Sequence, residues 1–172
     1  LYVSVAANEQ HLRIEGNLPE LRWKAKGKLC SWVVEFILCN GKPKLDITIN
    51  VDWKGEESRL RLKIPTTIDS STGIYEIPFG TVARKPYMPG FNKKGEWPAQ
   101  RFVAVEDGEY GIALVNTGVP GVEVNGGTLW TTLLRAPKAV FSGMIPDETS
   151  SQHGKHTFTF ALVPYKGCWK ES

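Results

Sequence analysis

The run from Leu45 to Trp53 constrains the fold most, because apolar and polar residues alternate strictly along it. Successive side chains of a β-strand point to opposite faces, so this spacing predicts a strand with one buried and one solvated face. The apolar positions, which we expect in the core, are Leu45, Ile47, Ile49, Val51 and Trp53.

A second alternating run covers residues 59–64 and places its cations on the outward face. Residues 54–57 between the two runs include Gly55, which is typical of a hairpin connection. We therefore expect the two strands to pair with each other, antiparallel, with half of their surface in water.

Further runs predict an all-β fold. They are bounded by Gly, Pro, Asn or Asp and cover residues 32–39, 100–105, 110–115, 128–135 and 156–163. About nine strands without intervening helices predict a large antiparallel β-sandwich. We expect one domain over residues 1–172, with a long irregular loop at about 85–98 that is functional or forms an interface.

Composition excludes several classes of function. The 21 basic and 18 acidic residues are interspersed, which argues against a nucleic-acid partner. No apolar run reaches the roughly 20 residues of a membrane-spanning helix, so no membrane partner is expected. Cys30, Cys39 and Cys168 are odd in number and widely spaced, which favours free thiols in a reducing compartment. We expect a cytoplasmic location, and N-x-S/T glycosylation sites are also absent from the sequence.

His153 and His156 form the only closely spaced histidine pair, with Asp147 and Glu148 nearby. Residues three apart on a strand face opposite ways, so a shared metal would require His153 to curl back from a loop. We expect structural histidines and no metal site in this chain.

Catalytic residues are not expected either. A retaining glycosidase needs two carboxyl groups about 5–5.5 Å apart. The acidic residues in predicted turns and strand ends have the pattern of solvated surface groups, and they are Glu76, Glu96, Glu106, Asp107 and Glu109. Trp97, in the irregular loop, is the tryptophan that we expect to contact a ligand or a partner domain.

An ordered series of short motifs extends from residue 75 to residue 164. It comprises Tyr-Glu-Ile-Pro-Phe-Gly at 75–80, Glu-Trp-Pro-Ala-Gln-Arg-Phe at 96–102, Tyr-Gly-Ile-Ala-Leu-Val-Asn at 110–116, Leu-Leu-Arg-Ala-Pro at 133–137 and His-Gly-Lys-His-Thr-Phe-Thr-Phe-Ala-Leu at 153–162. This succession resembles the C-terminal domain of the family 38 α-mannosidases. Upstream, the strand that ends in Val51-Asp52-Trp53 is similar to the one that precedes these motifs in the family.

The resemblance implies a supersandwich of the galactose-mutarotase-like type, packed on an α/β barrel that carries the zinc, the nucleophile and the acid/base. It also implies that Arg135, by position, contributes to the substrate cleft. The chain opens in a strand-like run without an initiator Met. We therefore expect an excised, inactive accessory domain whose partners are its own barrel and a mannoside.

Two other functions stay open. One is a free-standing carbohydrate-binding module that uses Trp97, Tyr87 and Phe91 as a stacking platform. The other is a purely structural interaction domain with an exposed apolar patch.

The segment Pro78-Phe79-Gly80 is interpreted as a turn with its ring in the core.

Overall fold

The computed structural model describes residues 2–6, 9–19, 28–86, 95–137 and 151–170. These residues form strands and loops. The strands are β1 Tyr2–Ala6, β2 Glu9–Pro19, β3 Lys28–Cys39, β4 Leu45–Trp53, β5 Ser58–Ile64, β6 Gly73–Ile77, β7 Gly80–Arg84, β8 Trp97–Pro98, β9 Phe102–Glu106, β10 Tyr110–Asn116, β11 Gly121–Asn125, β12 Thr128–Ala136 and β13 Gly154–Lys166.

The strands form two antiparallel sheets. The larger sheet has nine strands in the order β1-β2-β3-β4-β13-β10-β9-β6-β7, and the smaller has four in the order β5-β12-β11-β8. The prediction of an all-β sandwich is therefore confirmed.

The core lies between the two sheets and is made of the alternate residues that face inward. Along β4, Ile47, Ile49, Val51 and Trp53 are buried, as the alternation predicts. The smaller sheet contributes a matching set from β11 and β12, namely Val122, Val124, Leu129 and Leu134. The two layers are also joined by a hydrogen bond, because the backbone N–H of Val124 donates to the buried hydroxyl of Tyr75 over 3.2 Å.

The predicted pairing of the two alternating runs is wrong. β4 pairs with β3 and β13 in the larger sheet, whereas β5 pairs with β12 in the smaller one. The connection at 54–57 therefore crosses from one sheet to the other. Alternation fixes which face of each strand is buried, but it carries no information about the neighbour with which the strand bonds.

The described end of the predicted irregular loop contains a short strand. Trp97 and Pro98 form β8, which pairs with Gly121 and Val122 of β11. Residues 87–94, which include Tyr87 and Phe91 of the predicted stacking platform, lie outside the described residues.

The interpretation of Pro78-Phe79-Gly80 was right about the turn and wrong about the ring. β6 and β7 form a hairpin in which Ile77 pairs with Gly80, leaving Pro78 and Phe79 at the tip. Phe79 is fully exposed rather than buried.

None of the three cysteines, all of which lie in described segments, forms a disulfide. Across the same segments, no helix has the length and apolar character needed to cross a bilayer.

Candidate functional site

The outer face of the four-stranded sheet carries most of its charged side chains, and we call it the charged face. β5 contributes Arg59, Arg61 and Lys63, which alternate with the inward residues Leu60, Leu62 and Ile64. β12 runs beside β5 and brings Arg135 directly opposite Arg59. Like charges in directly opposite positions are destabilising unless one of them is neutralised.

A β-bulge in β12 determines which of its side chains face outward. Thr132 pairs with Arg61 and Leu134 pairs with Leu60, so Leu133 is an extra residue without a partner. In a regular strand, residues 132 and 135 would point to opposite faces. The bulge places Thr132 and Arg135 on the same outer face, because an extra residue shifts the alternation by one.

One end of the charged face is a closed ion-pair cluster. The guanidinium of Arg61 lies 2.8 Å from a carboxylate oxygen of Glu123, and both side chains are mostly buried, at 18% and 14% exposed. Trp130 lies beside this pair, with Arg61 5.0 Å and Lys63 4.9 Å from its ring centroid. Trp130 is therefore half-buried on the outer face and lies outside the core.

The other end is organised by Glu96. One of its oxygens accepts from Arg59 over 3.1 Å, and the other accepts from the Thr132 hydroxyl over 2.5 Å. The carboxylate lies over Gly121 of β11, where a Cβ atom would come within 3.0 Å of Glu96 Oε1. Glu96 thus joins β5, β11 and β12 and neutralises Arg59.

Beside Glu96 lies an open cleft of about 700 Å³, lined by the C-terminal half of β12, by the start of β5 and by residues of the adjoining loops. Arg135 is exposed at this cleft. Its backbone N–H donates to the side-chain oxygen of Gln152 over 3.1 Å. Its guanidinium makes no ion pair or hydrogen bond within the segments that the structure describes.

The chemistry available at the cleft follows from a difference between Arg59 and Arg135. Arg59 is held by a carboxylate, whereas Arg135 presents planar N–H donors to solvent. A guanidinium can bond two neighbouring oxygens at once, as on adjacent sugar hydroxyls or a carboxylate. The cleft can therefore bind and orient an oxygen-rich ligand.

Trp97 lies apart from this arrangement. It is 8% exposed, its indole N–H donates to the carbonyl of Lys85 over 2.8 Å, and Arg84 lies 4.9 Å from its ring centroid. Sugar stacking needs an open ring face, which Trp97 would offer only if Arg84 moved. The expected ligand contact of Trp97 stays a prediction, and the structure does not bring it together with Arg135.

The described residues do not offer a zinc site. His153 is hydrogen-bonded through Nε2 to the carbonyl of Gly55 over 3.0 Å, and His156 to that of Gln152 over 2.7 Å. In the same segments, no three His, Cys, Asp or Glu side chains gather as metal ligands would. Asp147 and Glu148 lie outside them.

Four of the five acidic residues singled out in the sequence accept hydrogen bonds from protein groups, whereas Glu109 is exposed, and Glu76 is the clearest departure from a solvated carboxylate. It is buried inside β6 and bonded to the guanidinium of Arg101 by contacts of 2.6 and 2.9 Å. These bonds keep the pKa of Glu76 below its ordinary value. Glu106 accepts from the Tyr165 hydroxyl and the Trp169 backbone N–H, and Asp107 accepts from the backbone of its own turn.

Sequence reasoning missed Arg59 and the organising role of Glu96. The Glu-Trp-Pro-Ala-Gln motif drew attention to Glu96, but its two partners lie 36 and 37 residues away in the chain. No local signal predicts such a contact, since it depends on the pairing of β5 with β12 and on the bulge. The adjacency of Arg59 and Arg135 was hidden for the same reason.

Comparison with known proteins places the chain in a family. A family model described as the glycosyl hydrolases family 38 C-terminal domain matches residues 9–149. The chain belongs to this family. The matched range includes the whole of β2 to β12, and therefore every strand of the charged face.

Curated relatives of this family 38 domain include α-mannosidases. Alpha-mannosidase 2C1 of Mus musculus is 34% identical over 143 residues, which cover 80% of this chain and 13% of the relative. Alpha-mannosidase G of Dictyostelium discoideum is 30% identical over 131 residues, with 72% of this chain and 11% of the relative covered. The chain thus spans only about an eighth of the length of these relatives.

Solved structures agree on the fold. An α-mannosidase from Enterococcus faecalis V583 superposes with a TM-score of 0.81 at 17% identity, covering 95% of this chain and 22% of that one. A family 38 glycosyl hydrolase from Enterococcus faecalis gives 0.84 at 16% identity, covering 99% and 23%. At such identities the likeness establishes the shared β-architecture of the family 38 domain.

Proposed function

We propose that this chain is a non-catalytic accessory domain of a larger family 38 α-mannosidase, in which it packs on the catalytic barrel and lines part of the substrate cleft. Membership of the family and the α-mannosidases among its relatives support this proposal. The zinc and the catalytic carboxylates belong, in the proposal, to the barrel. In this chain, His153 and His156 are hydrogen-bonded to backbone carbonyls.

The observation that carries the proposal is the guanidinium of Arg135 at the 700 Å³ cleft, unpaired within the described segments. Its neighbour Arg59 is neutralised by Glu96, so Arg135 does not share the cleft with a second uncompensated arginine. We assign Arg135 the role of orienting mannoside hydroxyls through its N–H donors. We also propose a cytoplasmic setting, which agrees with three cysteines that form no disulfide.

The test uses the full-length parent enzyme, with an aryl α-mannoside as substrate and zinc present. Arg135→Gln should lower kcat/KM by about tenfold to a hundredfold, the range expected for loss of a charge-assisted hydrogen bond. Lys166→Gln is the matched control, because Lys166 is an exposed cation at the end of β13 and lies outside the cleft. Unchanged kinetics for Arg135→Gln would remove Arg135 from the cleft.

A second measurement addresses catalysis by the 172-residue chain itself. We expect no turnover of the aryl α-mannoside by this chain, with or without zinc. Turnover that is abolished by replacing Glu76, Glu96 or Glu106 would contradict an accessory role. Calorimetry with mannosides separates the binding-module alternative, since a module would bind sugar without the barrel.

A further inference from the structure

The tip of the β6–β7 hairpin exposes an aromatic ring completely. The relative exposure of Phe79 is 109%, against 56% for Tyr110 and 43% for Leu38, the other large exposed apolar side chains of the described residues. Pro78 and Gly80 on either side are exposed as well. The hairpin therefore ends in a small uncharged tip with one large ring at its centre.

The backbone at this ring is strained. Phe79 has φ 66°, in the left-handed region that is unfavourable for bulky side chains and favours glycine. The glycine of this turn stands one position later. Gly80 does not adopt a positive φ, and a Cβ there would meet nothing within 4 Å. The turn thus has its glycine where none is required and a phenylalanine where glycine would relieve strain.

The base of the hairpin is held firmly. The carboxylate of Glu76 accepts from the backbone N–H of Arg101 over 2.8 Å and from its guanidinium over 2.6 Å. The backbone N–H of Gln100 donates to the carbonyl of Glu76 over 3.1 Å. A rigid base fixes the direction of the tip, and pre-organised groups lose less conformational entropy when they dock.

We propose that Phe79 is a docking anchor that inserts into an uncharged apolar pocket on the catalytic part of the parent enzyme. The inference rests on the proposed function. Exposure and strain both cost free energy in the isolated chain, and no contact among the described residues offsets either of them. An aromatic side chain that fills a partner pocket is the kind of residue that dominates the energy of an interface.

The length of the relatives favours a partner within the same polypeptide over a second copy of this chain. This chain covers 13% of the mouse relative and 22–23% of the two solved chains, so more than three-quarters of each lies outside the matched region. If the domain packs on a barrel, that remaining part of the parent enzyme can supply the pocket for the Phe79 ring.

The test begins with Phe79→Cys in two settings, the 172-residue chain and the full-length parent enzyme. Thiol labelling is measured against the same protein with Phe79 intact, which corrects for Cys30, Cys39 and Cys168. We expect the introduced thiol to react at least tenfold more slowly in the parent enzyme. Thermal unfolding of the parent, followed at both parts, should show one coupled transition.

Substitution of Phe79 by residues that tolerate a positive φ gives a second readout. For glycine, the expected change in Tm has opposite signs in the 172-residue chain and in the parent enzyme. Phe79→Gly should raise the Tm of the 172-residue chain by about 2–4 °C and lower that of the parent enzyme. Phe79→Asn should also weaken the parent, since it removes the ring and tolerates the turn. Tyr110→Asn is the matched control, because it removes another exposed ring and should affect both proteins equally.

The outcomes separate the two proposals. Coupled unfolding with equal labelling of the introduced thiol in both settings would overturn the anchor and leave the accessory role intact. Independent unfolding of the two parts would overturn packing on the barrel and the anchor together. Equal labelling caused by self-association of the 172-residue chain would appear in sedimentation as a dimer, and would identify a second copy as the true occupant.

Discussion

The charged face and the tip of the β6–β7 hairpin differ in how their outward side chains are compensated by contacts. On the charged face, Arg59 and Arg61 are matched by carboxylates and Lys63 lies over the Trp130 ring, whereas the guanidinium of Arg135 beside the cleft has no such contact within the described residues. At the hairpin tip, Phe79 has no contact within the described residues that would offset its exposure. In both regions the unmatched residue stands on a well-bonded support, which agrees with the proposed ligand and docking surface beyond the described residues.

The largest effect that would test this comparison is expected from Glu123→Ala. Removal of the carboxylate leaves the mostly buried guanidinium of Arg61 without its charge partner, which should cost about 3 kcal/mol of unfolding free energy. Thermal or urea denaturation of the 172-residue chain measures it. Glu15→Ala is the control, since its 3.5 Å contact with Arg13 is exposed and should contribute less than about 0.5 kcal/mol. Equal losses for the two variants would mean that Arg61 relaxes into solvent.

The next effect depends on pH and concerns the base of the hairpin. The hydrogen bonds from the Arg101 side chain keep the pKa of Glu76 below that of the same carboxyl in the unfolded chain. The stabilisation is therefore complete above the ordinary carboxyl pKa and is lost as the pH falls through the lowered one. Glu76→Gln should lower the Tm by about 4 °C at pH 7, with the difference narrowing as the pH falls below the ordinary carboxyl pKa. A difference that is independent of pH would show that the charge of Glu76 is not involved.

A smaller loss is expected at the junction with the cleft. Thr132→Val removes the hydroxyl that donates to Glu96 but keeps the shape and β-propensity of the side chain. We expect a cost of about 1 kcal/mol, as for a single partly exposed hydrogen bond. In the parent enzyme kcat/KM should change little, because Arg59 still neutralises Glu96. A loss of activity as large as that of Arg135→Gln would mean that Thr132 also contacts the substrate.

The same two regions show how far the sequence could predict the structure. Alternation located β4 to the residue and assigned its buried face, because both depend on neighbours in the chain. It failed for the pairing of β4 with β5, which lies in the contacts between distant strands. The alternation could not predict the contacts of Glu96 with Arg59 and Thr132 for the same reason.

Phe79 shows a different limit of prediction from sequence. Pro78-Phe79-Gly80 correctly predicts a turn, and hydrophobicity then places the ring in the core, which is wrong. Hydrophobicity measures the gain from burial without specifying which surface does the burying. A partner surface absent from this chain can supply it, and sequence analysis of a single domain has no means to distinguish the two cases.

The smallest expected effect sharpens the comparison most. Arg135→Gln should change the unfolding free energy of the 172-residue chain by less than about 0.5 kcal/mol, since no contact of the guanidinium within the described segments is lost. Denaturation measures it beside Glu123→Ala. A large destabilisation would show that Arg135 has a structural partner and is not held for a ligand. A neutral result combined with a loss of kcat/KM in the parent enzyme would mean that Arg135 serves substrate binding, because the domain would gain no stability from it.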